Sequence, residues 1–199
     1  HLYIAQPPLY KVSRGKSELL NAIFFADTGR RVLPASPGRT TMCPVELQYQ
    51  PAQPSELALL PIDTRLGAQS LAELRDQPDA WQRLSLDARN PAGLAEALNL
   101  VTQTRRVTAA QAAALGFWSD THPQDNPPQA EDGTVEVPTW RHALINYPHP
   151  LLQRGLVVVD TPGLNAIGAE PELTLGLLPA AHAIVFLLGA DTGVSRSDL

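Results

Sequence analysis

The spacing of apolar positions changes several times along the chain, and each change predicts an element. Leu156 to Val159 is a continuous apolar run closed by Asp160, the pattern of a strand covered on both faces. Ala183 to Leu188 reads as the next buried strand, and Leu164 to Leu178 between them suits a mobile loop with a short helix. Val45 to Tyr49 alternates. Trp140 to Tyr147 alternates as well, is closed by Pro148-His149-Pro150, and predicts an antiparallel strand in a hairpin with the Leu156 to Val159 run. Glu18 to Ala26 has an apolar pattern of helical period. From Pro51 to Thr139 the composition shifts to Ala, Leu, Pro and Gln, with helices predicted over Ser70 to Leu86 and Leu94 to Leu115. Pro91 fits the start of the second helix and Gly116 its stop. His122 to Pro138, rich in proline, predicts a weakly structured stretch leading back to the sheet. Leu2 to Lys11 is broken by Pro7 and Pro8 and is not expected to supply a buried strand.

The helix at Glu18 is preceded by Ser13-Arg14-Gly15-Lys16-Ser17, which reads as the second half of a phosphate-binding loop. Gly15 lets the backbone approach phosphate oxygens, successive amides and the helix N-terminus supply positive potential, and the Ser17 hydroxyl suits Mg²⁺. Lys16 would reach the β- and γ-phosphates. Lys11 and Lys16 are the chain's two lysines among fifteen Lys and Arg residues, so a lysine at this place marks a site that wants a compact ammonium. The full motif needs a glycine where Tyr10 stands. Either the loop is aberrant or residues are absent near Tyr10 to Val12, and the second reading is favoured. The plain alternative is a chance Gly-Lys-Ser before an amphipathic helix.

Asp160-Thr161-Pro162-Gly163 answers that motif from the other half of the chain. In a doubly wound sheet, ligands lie beyond the carboxyl ends of parallel strands, so Asp160 is placed to hold Mg²⁺ through water and Gly163 to bring its amide to the γ-phosphate. A turn closing a buried strand is the bland reading. Arg39-Thr40-Thr41-Met42-Cys43-Pro44 lies between the two motifs. Thr41, with Thr40 close behind, is the choice for a hydroxyl that meets Mg²⁺ in a switch loop.

Three runs, GKSELLNAIFFAD from Gly15, GRTTMCPVEL from Gly38 and DTPGLNAIG from Asp160, together resemble a dynamin-superfamily GTPase of the bacterial dynamin-like kind. The resemblance implies an α/β, P-loop GTPase-type, doubly wound and mostly parallel sheet flanked by helices, with a helical insertion between the switches. It divides the chain into 1–50 with the phosphate loop and first switch, a mainly helical 51–139, and 140–199 with the second switch. It also implies GTP and GDP binding, Mg²⁺ dependence, hydrolysis stimulated by nucleotide-dependent dimerisation with itself or a hetero-partner, and peripheral contact with a membrane through segments outside the domain. Carried over residue by residue, it assigns Gly15, Lys16 and Ser17 to phosphates and Mg²⁺, Thr41 to the first switch, and Asp160 with Gly163 to the second.

Two departures modify that picture. Leu164 stands where many small GTPases carry a water-orienting glutamine; the resemblance implies that the phosphate loop takes over that task, through Ser13 or its backbone, with Arg14 either neutralising charge in cis or simply facing solvent. No lysine follows Lys16, so the guanine-reading Asn/Thr-Lys-x-Asp element is missing. Guanine preference then rests on the resemblance, with a GTP-gated scaffold of little turnover and an ATPase as the rivals. The sheet is expected to be incomplete and the chain a fragment. A net charge of −5 argues against indiscriminate nucleic-acid binding. Cys43, the single cysteine, agrees with a reducing cytoplasm, with any membrane contact peripheral at its inner face. His142 and His149 lack a paired ligand at recognisable spacing and read as structural, and Trp81, Trp118 and Trp140 as packing anchors.

Overall fold

In the computed structural model the described residues are 2–5, 16–26, 43–123, 126–160 and 182–186. Strand β1 is Leu2–Ala5, and helix α1 is Lys16–Phe24. Strands β2, Val45–Gln48, and β3, Glu56–Pro61, follow, then the short helix α2, Leu71–Arg75, and β4, Gln82–Ser85. Helix α3 is Pro91–Asn99, β5 Thr104–Thr108, α4 Ala109–Ala114 and β6 Thr134–Pro138. Strand β7 is Trp140–Asn146, α5 Pro150–Gln153, β8 Val158–Asp160 and β9 Ala183–Phe186.

Among the described residues seven strands form one sheet in the order β4-β3-β7-β2-β8-β1-β9, and β5 with β6 forms a separate ribbon. The sheet is mixed. β1 runs parallel to β8 and β9, and β2 parallel to β7, whereas β2–β8, β3–β7 and β3–β4 are antiparallel. This is an α/β fold flanked by helices, as expected, and the strands predicted at Val45, Trp140, Leu156 and Ala183 are all present, but the hairpin expected between the Trp140 and Leu156 strands is not: β2 is inserted between β7 and β8, parallel to one and antiparallel to the other.

Several further expectations are corrected. Leu2–Ala5 is a strand after all, lying between β8 and β9, because Pro7 and Pro8 follow its end and do not interrupt its ladder. The helix predicted over Ser70 to Leu86 lasts only one turn and a half. Ser70 and Glu73 close a capping box at its start, and Pro78 opens a separate 3₁₀ turn. The remainder pairs with β3, Leu84 opposite Leu57. The helix predicted over Leu94 to Leu115 is likewise two helices around a strand. Asn90 caps α3 with Pro91 in its first turn, the β-branched ends of Thr104–Thr108 favour β5, and Thr108 with Gln111 caps α4 anew. Gly116, at φ 82°, does stop the last helix. The stretch to Pro138 contains β6, paired with β5 after a turn in which Gly133 takes φ 77° and Asp132 accepts from the Thr134 amide. The 51–139 segment is therefore mixed in structure, and its β3 and β4 extend the main sheet.

Strand alternation sends side chains to two cores. On one face Leu20 and Phe24 of α1, with Phe25 just past its end, pack with Val45, Leu47, Leu57, Leu59, Ala143, Ile145 and Val158, closed over by Leu98 and Trp140. On the other, Ala58, Leu60 and Val159 pack with Leu71, Leu74 and Trp81. The ribbon has its own core of Ile62, Val107, Ala112, Leu115, Val135 and Val137. The three tryptophans anchor packing as expected: the indoles of Trp81 and Trp140 donate to the carbonyls of Leu74 and Leu100, and that of Trp118 to Asp120. Leu20 is fully buried where α1 meets the sheet. Leu20→Ala should lower unfolding stability by about 2–5 kcal/mol, read from urea denaturation, because the sheet cannot close on the space left.

Candidate functional site

The site is built from the sheet edge at which β8 ends. Because β1, β8 and β9 are parallel, their carboxyl ends Ala5, Asp160 and Phe186 share that edge. β2 runs the other way, so its first residue, Val45, lies opposite Asp160, and the chain enters the sheet there through Cys43 and Pro44. Asp160 is thus held between Ile4 and Val45, and only 2% of its surface is exposed. A carboxylate so deeply desolvated needs cationic or hydrogen-bonding company.

Helix α1 begins at Lys16 and Ser17, as the motif predicts, so both stand in a helix's first turn, where amide groups point outward. Their side chains are outside what the structure describes. Ser13, Arg14, Gly15, Thr40, Thr41 and Gly163 lie outside the described residues altogether, as does the stretch Tyr10 to Val12. Of the predicted site, the structure therefore fixes Asp160 and the helical start at Lys16 and Ser17. Cys43 is buried, its thiol donating to the Val101 carbonyl at 3.8 Å. His149 caps α5, accepting from the Leu151 amide, and packs edge-on against Phe24. It is structural, as read.

Among the described residues no group of three or more His, Cys, Asp or Glu side chains could hold a metal. Asp160, a nearly fully buried carboxylate at a strand's carboxyl end, has the chemistry to hold a hard cation that keeps part of its water. A polar pocket of about 260 Å³, lined by Gln48, Glu56, Arg75, Arg83 and Asn146 among others, opens at the opposite end of β2 and β7 and is no part of this site.

A second buried charge sits one strand position from the edge. Glu46, 1% exposed, points to the α2 side of the sheet. Arg75 of α2 grips it with both Nη atoms, Nη1 at 3.2 Å from Oε1 and Nη2 on Oε2. His142 of β7, fully buried, brings Nε2 to 3.5 Å from the same Oε2, too long for a firm hydrogen bond, and meets Trp81 edge-on. Burial pushes the Glu46 carboxyl up, but the His142 imidazole and the Arg75 guanidinium outweigh it and hold the group down at about 2. The structural reading of His142 stands. Glu46 was not singled out from sequence, because in VELQ it occupies what looks like an ordinary solvent-facing position.

The sequence model of the dynamin family matches residues 11–199. A bacterial dynamin-like protein of Nostoc punctiforme is 45% identical over 54 residues, 27% of this chain and 8% of that protein. The isoniazid-induced protein IniA of Mycobacterium tuberculosis is 48% identical over 50 residues, 24% of this chain and 7% of that protein. The chain thus spans less than a tenth of these curated relatives in its matched part. A solved structure of an oligomerised bacterial dynamin pair, described as a mechanism for long-range sensing and tethering of membranes, superposes with a TM-score of 0.42 at 22% identity. That match covers 93% of this chain and 20% of the other.

The Glu46 carboxyl titrates lower in the folded chain than its ordinary value of 4.5. Its contribution is therefore complete above pH 4.5 and lost as pH falls toward 2. Urea unfolding of wild type should lose about 3 kcal/mol over that window that Glu46→Gln does not lose.

Proposed function

The chain belongs to the dynamin family of GTP hydrolases, and from that premise we propose that it binds GTP with Mg²⁺ at the edge marked by Asp160 and hydrolyses the γ-phosphate. The observation that carries this reading is the placement of Asp160: a buried carboxylate ending a strand beside β1, at the edge where the chain enters β2. In this reading the Lys16 ammonium neutralises the β- and γ-phosphates. The amides of Gly15 and Gly163 cradle oxygens, and Ser17, Thr41 and Asp160 hold the ion. Mg²⁺, when bound, supplies the charge that offsets what develops on the bridging and γ-phosphate oxygens. Ser13 orients the attacking water, and Arg14 neutralises charge in cis in place of the glutamine that Leu164 replaces. Catalysis is then positioning and electrostatics, with no covalent intermediate.

Nucleotide-dependent self-association and a peripheral role at a membrane are proposed on the family resemblance. Among the described residues no helix is long and apolar enough to cross a membrane. The 51–139 segment would supply a partner or dimer surface. The second reading, a GTP-gated scaffold with little turnover, is favoured by Leu164 and by the incomplete phosphate loop, with Tyr10 where the full motif has glycine.

Single-turnover hydrolysis by the full-length protein separates the two readings. Turnover should fall by at least about 10²-fold in Lys16→Ala, whereas GTP that stays intact for hours in wild type, despite tight binding, would establish the scaffold. Competition of unlabelled ATP against labelled GTP should leave binding unchanged, and displacement by ATP would point to an ATPase. Light scattering should show a mass increase with a transition-state mimic, and an unchanged mass would end the dimer proposal.

A further inference from the structure

Strand β2 faces a registration problem that its apolar residues do not solve. Cys43, Val45, Leu47 and Tyr49 all pack on the α1 side of the sheet. A one-residue slip would drive Glu46 into that core against Leu20 and Phe24 and is forbidden. A two-residue slip is different. It replaces one apolar side chain of the series by the next, and the hydrophobic pattern reads almost the same. What distinguishes the observed register is Glu46, the single charge on a four-residue strand.

The partners of that charge are anchored independently of β2. Arg75 ends α2, which Leu71 and Leu74 fasten into the second core beside Trp81, and the Trp81 indole donates to the Leu74 carbonyl. His142 belongs to β7 and rests against the same Trp81. A two-residue slip would carry the carboxylate about 7 Å along the strand and strand it away from both. A buried ion pair adds little net stability over a well-packed apolar side chain, so specificity of arrangement is the physical return for keeping one here. The arrangement it specifies reaches the nucleotide edge directly. Glu46 lies opposite Val159, and with that pairing Val45 lies opposite Asp160.

We propose that Glu46 is a positioning residue, one whose pairing with Arg75 and His142 locks the register of β2 against β8 and thereby sets where Asp160 stands at the edge. The inference rests on the GTPase reading above, and it makes α2, outside the nucleotide motifs, a support for the ion site.

The test measures labelled GDP affinity of the full-length protein with Mg²⁺ and with EDTA, for wild type, Glu46→Gln, Arg75→Gln and the double variant. Each single variant should reduce the gain in affinity from Mg²⁺ by about tenfold, leave affinity in EDTA within about twofold, and show no further loss in the double variant, as for one unit. A merely structural role would lower both affinities together. That outcome, or an unaltered Mg²⁺ gain in folded variants, overturns the inference. Should Glu46→Gln fail to fold, Arg75→Gln decides alone, since 32% of the Arg75 side chain is exposed. A wild-type protein that gains nothing from Mg²⁺ defeats the GTPase reading itself, a result distinct from the others.

Discussion

The antiparallel seam between β2 and β8 is the constraint on which the rest depends. Two short strands from opposite ends of the chain, Val45–Gln48 and Val158–Asp160, meet there in the middle of the sheet. Everything with chemical potential is referred to that seam: Asp160 ends it, Cys43 and Pro44 lead into it, and the Glu46 carboxylate lies beneath it. Short strands bury few side chains, so their alignment is decided by what each individual residue meets.

Two layers of packing hold the seam from opposite sides. On the α1 side the contribution is hydrophobic, from Leu20, Phe24 and Phe25 on Val45, Leu47 and Val158. On the α2 side it is mixed, with Val159, Leu60 and Trp81 surrounding a carboxylate, a guanidinium and an imidazole. The helix that opens at Lys16 and Ser17 and the helix that carries Arg75 thus act on the same strands through different physics, one non-directional and one strongly dependent on geometry. The turn after β2 is tied down by a single amide. Asn146 donates to the carbonyls of Gln53 and Pro54 and accepts from the Gln50 amide at 2.7 Å.

Strands that arise from an apolar run with a proline turn or a local motif beside it were legible in the sequence. β7 and β8 follow from their runs and from Pro148 and Pro150, and α1 from the Gly-Lys-Ser that opens it. The antiparallel pairs β3–β4 and β5–β6 were not, because Leu, Ala and Arg at mixed spacing imitate a helical period, and short strands leave no long alternation to contradict it. β1 was masked by prolines that end it. Asp160 was legible because its chemistry lies in one local motif. Glu46 was not: its burial depends on Arg75, 29 residues later, and on His142 of a third strand, and no local pattern announces such a meeting.

The ribbon of β5 and β6 keeps its apolar side chains largely to itself, with Val107, Val135 and Val137 covered by Ala112 and Leu115 of α4, while Ile62 at the end of β3 joins it to the main body. Its other ties to the segment after β3 are polar, Arg105 to Asp63 and Arg65 to the Leu115 carbonyl and the Phe117 ring, so an opening that broke these and the Ile62 contact would expose its amides while the sheet stayed folded. A substitution in the ribbon's own core, Val107, Val135 or Val137, therefore acts on that local unit before it acts on the strands around Asp160.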